Sequence, residues 1–213
     1  MKLKYKNLLL LLFVSLLYIF IIKISSFLLN FDKVLYNSLI DNLSEKQINK
    51  YFKIKNALES LNFIIYPIFL FIKTTIISSV IYIGVYFYSK RNLTFGEILN
   101  SVLKAEFIFI LVPICKLLWF YFFVKNYNLE DIQLFFPFSA LNIVGTSGID
   151  PWIVYPLQTL NLFEVAYIIF LSFELGYLTK TNADNGLKIM LYSYVPTLLL
   201  WITIIMFFTL NYS

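Results

Sequence analysis

The feature that most constrains this chain is a series of apolar runs long enough to cross a lipid bilayer. One of them, "NLLLLLFVSLLYIFII", begins at Asn7. A helix needs about 20 predominantly apolar residues to span the hydrocarbon core. Of the 213 residues, 60% are hydrophobic and only 14% are charged, which is unlike an ordinary soluble domain. We therefore expect an integral membrane protein with the lipid bilayer as its surroundings.

The runs predict an all-α, polytopic helical bundle of about five transmembrane helices, forming one domain over residues 1–213. Pro67, Pro113 and Pro196 fall inside predicted spans and are expected to kink them, which membrane helices tolerate. Pro156 suits the first turn of the fourth span. The predicted spans cover about residues 7–29, 61–88, 98–124, 156–178 and 188–210.

The first run also resembles a secretory signal peptide, because a basic segment precedes an apolar core. However, "IIKISSFLLNF" offers no small-x-small cleavage site, and the apolar run continues past Lys23. The run is therefore expected to remain as a membrane anchor.

Basic residues outside the spans predict their orientation, since cytoplasmic loops are enriched in Lys and Arg. With five spans, the basic clusters fall on one side and the acidic 125–155 segment falls on the other. This places the N-terminus in the cytoplasm and the C-terminus outside. Five lysines within residues 30–60 oppose this orientation, although four acidic residues accompany them. The basic clusters contain Lys2, Lys4, Lys6, Lys90, Arg91, Lys180 and Lys188.

The segment "SEKQINKYFKIKNALESL" is expected to form an external amphipathic helix over residues 44–60. Ser44 and Gln47 have capping-box spacing, and apolar residues then mark one side of the helix. Such a helix can lie in the membrane interface; a plain extension of the second span is the alternative. The apolar residues are Ile48, Tyr51, Phe52 and Leu58.

Residues 129–155 are too apolar for a free loop and too rich in proline and glycine for a span. This composition predicts a re-entrant or interface-hugging loop. Trp152 and Tyr155 are expected to anchor the loop at the level of the lipid headgroups, where tryptophan and tyrosine are enriched.

Apart from Lys23 and Lys188, which lie near span ends, six charged residues fall inside the predicted spans, where an ionised side chain is costly without a partner or a function. The third and fourth spans are antiparallel neighbours in the sequence. Each carries two charges ten positions apart, which a helix separates by about 15 Å and places broadly on one side. The six are Lys73, Lys104, Glu106, Lys116, Glu164 and Glu174.

This spacing predicts Lys116 opposite Glu164, and Glu106 opposite Glu174. Two facing carboxylates cannot both stay ionised cheaply. They are therefore expected to share a proton or to have a lysine between them, and Lys73 is the best placed.

Lys104 could instead extend to the membrane interface, since long basic side chains reach for water. Three roles are open for these charges: a polar lattice that fixes helix register, a proton or cation path, and contacts to a missing subunit. A bundle of this length has little room for a cavity, which favours the last role over an autonomous channel.

Most catalytic and cofactor chemistry lacks its residues in this sequence. There is no histidine, so the usual proton shuttle and the commonest metal ligand are missing. "GTSG", residues 145–148, matches the short pattern around the rhomboid-protease serine, but no histidine base accompanies it; we interpret it as a turn. Cys115 is expected to be a packing residue. No enzyme activity, cofactor, metal or nucleic-acid partner is predicted.

The order of segments resembles that of the Yip1-like family of membrane proteins. "LQTLNLFEVAYIIFLSFELGYLTKTNADNGLKIMLYSYV" is similar to the family's late segment, in which a helix begins near "NLFE" and ends at a glycine, here Gly176, before a short polar loop and a further helix. "LTFGEILNSVLKAEFIFILVP" is similar to the entry of its third helix. The eukaryotic members' long cytoplasmic N-terminal region has no counterpart before the first span. The resemblance implies five spans and a non-enzymatic membrane protein acting with others.

The composition, rich in Lys, Ile, Asn and Phe with Arg91 as the only arginine, suggests an AT-rich bacterial genome. The sequence therefore predicts a bacterial inner-membrane protein acting as an accessory or scaffold subunit of a larger membrane complex. The alternative is a small transporter or permease component that uses its buried Glu and Lys residues for proton or cation coupling.

Overall fold

The computed structural model of the chain describes residues 2–89, 91–146 and 148–212. Lys90 and Ser147, which entered the orientation argument and the "GTSG" pattern, lie outside the described residues, as does the side chain of Lys2. The described residues form helices and no strand. The helices are α1 Lys2–Leu28, α2 Phe31–Leu39, α3 Glu45–Glu59, α4 Asn62–Tyr88, α5 Phe95–Phe122, α6 Leu129–Leu134, α7 Ala140–Val144, α8 Pro151–Thr159, α9 Leu162–Leu178, α10 Ala183–Tyr192 and α11 Tyr194–Tyr212.

Four helical segments in the described part are long and apolar enough to cross a membrane. They cover Leu3–Leu28, Asn62–Tyr88, Phe95–Phe122 and Ala183–Asn211. The prediction of an all-helical chain is therefore confirmed, and the four segments are compatible with a multi-pass membrane protein, whereas the count of five spans is not confirmed. The last candidate contains both α10 and α11.

The bounds predicted for the fourth span, 156–178, are wrong because the helix breaks at Leu160 and Asn161. Pro156 lies inside α8, and α9 begins at Leu162. The 17 residues of α9 extend about 25 Å, less than the roughly 30 Å of a hydrocarbon core.

The break is stabilised by the backbone of residues 138–140, which pairs with it on both sides. The Ala140 amide donates to the Leu160 carbonyl at 2.8 Å, and the Leu162 amide donates to the Phe138 carbonyl at 3.2 Å. Phe138 has φ of 55°, a left-handed conformation that is a genuine outlier for a bulky residue. The surrounding bonds therefore hold this segment in a strained conformation.

The central helix α5 packs against α1, α4 and α9. It runs parallel to α1, since Asn100 donates to Asn7 at 2.8 Å and Phe107 packs near Phe13. It runs antiparallel to α4, as the Tyr82–Phe95 ring contact and the charge pair described below show. These neighbours give α5 the buried positions that hold polar side chains in the interior.

Helices α9 and α10 approach each other too closely for side chains at two glycines. A Cβ on Gly186 would lie 1.9 Å from the Ser172 carbonyl oxygen, and a Cβ on Gly176 would lie 2.5 Å from the Asn182 carbonyl oxygen. Small residues allow membrane helices to pack at short backbone distances. The two glycines therefore fix the α9–α10 hairpin.

The predicted helix over residues 44–60 is α3, and its capping box is present. Gln47 Oε1 accepts from the Ser44 amide at 2.9 Å. Of the predicted apolar side, Ile48 is buried and Phe52 is half-buried, whereas Tyr51 and Leu58 are exposed. The helix is therefore present, while its place at a membrane interface stays a prediction.

Lys55 joins α3 to α2 through an ion pair with Asp32, and it also pairs at 3.0 Å with Glu59, one turn further along α3. Partial burial lowers the pKa of Lys55, but the two carboxylates outweigh burial, and the pKa is raised overall. The pairs are at the surface, so their contribution to stability is small.

Residues 129–155 contain the short helices α6 and α7 and the start of α8 rather than an open loop. Gly145 and Gly148 have φ of 87° and 74°, as expected of turn positions where glycine is favoured. Trp152 and Tyr155 lie half-buried on α8, and the Tyr155 hydroxyl accepts from Trp201 Nε1 at 2.9 Å. Tyr155 therefore attaches α8 to α11; a membrane-anchoring role for either residue stays a prediction.

Candidate functional site

The interior charges form two groups on different faces of α5. The first, here called the central cluster, contains Lys73, Glu106, Glu164, Tyr167 and Tyr194. The second, here called the α5–α9 pair, contains Ser101, Lys104 and Glu174. Two residues along a helix turn its face by about 200°, which is why Lys104 and Glu106 belong to different groups.

Lys73 and Glu106 form the ion pair of the central cluster. Lys73 Nζ lies 2.8 Å from Glu106 Oε2 and 4.3 Å from the centre of the Phe109 ring. The Glu106 side chain is only 4% exposed, against 34% for Lys73. Among the described residues no donor forms a hydrogen bond of normal geometry with Glu106 Oε1, although the Tyr167 hydroxyl interacts with this carboxylate. One oxygen of a buried carboxylate is therefore neutralised by lysine, and the other has only a weak neighbour.

Glu164 lies in the first turn of α9, where the break of the fourth span places it. The Asn161 side chain caps this turn by accepting from the Glu164 amide at 2.8 Å. The Tyr194 hydroxyl donates to Glu164 Oε1 at 2.6 Å, and Glu164 interacts electrostatically with both Lys73 and Glu106. A helix N-terminus favours negative charge at this position, whereas partial burial of the Glu164 side chain disfavours it.

Tyr167 lies between the two carboxylates and is 0% exposed. Its ring packs on Phe109 at 4.9 Å and on Tyr194 at 5.6 Å. Its hydroxyl lies in the field of Glu106 and Glu164 but forms no hydrogen bond of normal geometry with a described residue. Buried polar atoms are rarely left unpaired, so this hydroxyl and Glu106 Oε1 mark the cluster as a place where a proton or small cation can bind.

The α5–α9 pair is more exposed than the central cluster, and one oxygen of Glu174 accepts two hydrogen bonds. Glu174 Oε2 accepts from Ser101 Oγ at 2.8 Å and from Lys104 Nζ at 2.9 Å. The Lys104 and Glu174 side chains are 41% and 24% exposed. Such a pair holds α5 and α9 in register.

The expected pairings of Lys116 with Glu164 and of Glu106 with Glu174 are wrong. Glu174 lies against Lys104, and Glu164 bonds Tyr194. Glu174 lies opposite Lys104 instead of Glu106, so the register of α5 against α9 differs from the expected one by two residues. A shift of two residues rotates a helix position by about 200°, which turns Lys116 away from Glu164. Among the described residues no carboxylate lies within ion-pair distance of Lys116.

Lys73 does lie beside Glu106, where a lysine was expected to neutralise one of two facing carboxylates. Its neighbouring carboxylate is Glu164 rather than Glu174. The sequence reasoning missed Tyr167 and Tyr194. A tyrosine inside a span offers a hydroxyl to a buried acid, and this was the available signal.

A large open cleft reaches the central cluster. It has a volume of about 1560 Å³ and is lined by the last turns of α5, by residues of α6 and α7, and by the first turns of α9 and α11. Glu164 is one of its lining residues. The expectation that the bundle has little room for a cavity did not anticipate this open cleft.

No family model, curated protein or solved structure matches this chain. The function must therefore be argued from the central cluster and the cleft. Within the described part of the chain, no three His, Cys, Asp or Glu side chains converge in a way that could hold a metal ion. The groups that can act are two carboxylates, one lysine and two tyrosine hydroxyls.

Proposed function

We propose that the chain is a small membrane transporter or permease component whose central cluster binds and releases a proton or a small cation. The observation that carries the proposal is Glu106: a carboxylate 4% exposed, with one oxygen bonded to Lys73 and the other without a hydrogen bond of normal geometry among the described residues. Ionisable groups inside a bundle commonly lie on ion or proton pathways.

Access to the cluster supports the proposal. Glu164 interacts electrostatically with Glu106 and Lys73 on one side and lines the cleft on the other. A cation that enters the cleft can therefore reach Glu106 by way of Glu164. A cation bound there would weaken the attraction between Lys73 and Glu106. Occupancy of the cleft would therefore affect how α4 packs on α5.

The test is ion flux in proteoliposomes, driven by a proton or sodium gradient and followed with an internal pH dye. Wild-type protein should dissipate the gradient faster than protein-free liposomes, and Glu106→Gln should reduce the rate to that background. Glu174→Gln is the matched control, because it removes a carboxylate outside the central cluster. A wild-type rate equal to background, or a Glu106→Gln rate equal to wild type, would contradict the proposal.

The proposed topology has five crossings, with α9 as a short one, in a bacterial inner membrane with a cytoplasmic N-terminus. Support comes from three basic regions that meet at one end of the bundle. Asn7 Nδ2 donates to the Gly96 carbonyl at 2.9 Å, and Arg91 Nη1 donates to the Leu178 carbonyl at 2.5 Å. Cysteine accessibility in intact cells would test the orientation. Membership in the Yip1-like family likewise stays a proposal.

An accessory or scaffold subunit is the second proposed function. It is favoured by α7, which presents Ile143 and Val144 at 89% and 63% exposure outside the long helices. A mild-detergent pull-down of the tagged protein from its own membranes should then yield a stoichiometric companion that Ile143→Asp loses. A lone protein in that experiment would reject the subunit role.

A further inference from the structure

The charges that line the cleft are all of one sign. Glu130, Asp131 and Glu164 line it, and the described lining residues include no lysine or arginine. This contrasts with the whole chain, which has 17 basic and 12 acidic residues. The cleft is therefore electronegative within a basic protein, and it repels anions.

Part of the cleft lining is aromatic. Trp119 stacks on Phe123 at 5.2 Å and on Phe135 at 5.4 Å between ring centres, and all three line the cleft. Trp119 is 43% exposed and stacked by both phenylalanines, whereas Phe123 is 72% exposed and offers ring surface to a ligand. Aromatic faces attract organic cations, and the attraction strengthens where water is excluded.

Glu164 is the charged group at the inner side of the cleft. Its Oε1 accepts from Tyr194, and among the described residues no donor lies within hydrogen-bond distance of Oε2. A carboxylate in apolar surroundings favours a positive partner. Inorganic cations need several oxygen ligands to replace their water shell, whereas an organic cation is satisfied by one carboxylate and aromatic faces.

We propose that the cleft is a binding site for a lipophilic organic monocation, such as a protonated or quaternary amine carrying aryl or alkyl groups. The cation lies near Glu164, and its apolar groups lie against the aromatic part of the cleft lining. The inference rests on the proposed transport function in one respect: it names the class of substrate that the central cluster would exchange for a proton or small cation.

The experiment measures binding to the full-length protein in phosphatidylcholine nanodiscs, with empty nanodiscs subtracted. The probes are tetraphenylphosphonium and tetraphenylborate, which have similar shapes and opposite charges. The wild-type protein should bind the phosphonium saturably and the borate at least tenfold more weakly. Glu164→Gln should weaken phosphonium binding at least tenfold, while Glu59→Gln, which removes an equal charge from the exposed surface of α3, should leave it within twofold.

A second variant covers the case in which Glu164→Gln does not fold. Thr146 is exposed and lines the cleft, so Thr146→Lys adds a positive charge to the site without changing the core. It should weaken phosphonium binding at least threefold and strengthen borate binding. Absence of saturable phosphonium binding by wild type, equal affinity for the two probes, or unchanged binding in the folded variants would overturn the proposal.

Binding and flux separate this inference from the proposed function. Phosphonium binding that depends on Glu164, with no ion flux, would support the cleft site and reject transport. Flux that depends on Glu106, with no phosphonium binding, would support transport and reject this substrate class.

Discussion

Lys73 on α4 lies 2.8 Å from Glu106 on α5 and is the one cation bonded to that buried carboxylate among the described residues. The pair joins two helices that are otherwise held by apolar contacts. Since Glu106 is far more buried than Lys73, the two residues are unequal: loss of the lysine leaves a charge in the interior, whereas loss of the glutamate leaves one that can reach toward the surface.

Lys73→Met should therefore destabilise the protein by about 3 kcal/mol, the low end for breaking a buried pair because Lys73 is partly exposed. The free energy of unfolding in mixed detergent micelles is the measurement. The double variant Lys73→Met with Glu106→Met should recover most of this loss, because no charge is left unpaired. Equal stability of Lys73→Met and wild type would show that the pair is not formed.

Tyr194→Phe and Glu164→Gln should be coupled in a double-mutant cycle. A hydrogen bond to a charged group contributes about 1.5–3 kcal/mol, so the two losses should fall short of additivity by about 1 kcal/mol or more. The matched cycle of Lys116→Gln with Glu164→Gln should be additive within about 0.5 kcal/mol. Additivity in the Tyr194–Glu164 cycle together with coupling in the Lys116–Glu164 cycle would favour the Lys116–Glu164 pair that the sequence predicts.

Glu174→Gln should lower the free energy of unfolding by only about 0.5 kcal/mol, since exposed ion pairs contribute little. Ser101 and Lys104 can still donate to the amide oxygen of the glutamine. Thermal unfolding at low and high salt is the measurement, and the small effect should shrink further as salt screens the pair. A larger loss of unfolding free energy than that of Lys73→Met would mean that the α5–α9 pair contributes more to stability than the Lys73–Glu106 pair.

Gly186→Ala should destabilise the protein by about 3 kcal/mol or more, at the upper end for overpacking. The added Cβ would lie 1.9 Å from the rigid backbone of α9, and one helix must move. Gly96→Ala is the control, because its Cβ would lie 3.2 Å from the end of the flexible Leu3 side chain. Similar melting temperatures for the two variants would contradict this close packing.

The long helices could be predicted from the sequence because length and hydropathy alone identify a membrane span. The break at Leu160 had one local signal, because Asn161 followed by Glu164 has the spacing of a helix N-cap. The pairing that stabilises the break, with residues 138–140 some twenty positions earlier in the chain, could not be predicted.

The six interior charges could be found by their placement, whereas their partners could not. A pairing argument depends on register, and an error of two residues turns a side chain to the opposite face of its helix. Lys104 and Glu106 show how sensitive this is, since they lie two positions apart and contact different helices. The tyrosines were missed because they carry no formal charge.

The two backbone bonds at the break also set where α7 lies relative to the first turn of α9. Residues 138–140 lead into α7 and are bonded to Leu160 and Leu162, and Glu164 follows within the same capped turn. A surface helix and an interior carboxylate are therefore joined by main-chain hydrogen bonds, so substitutions at residues 138–140 would displace both.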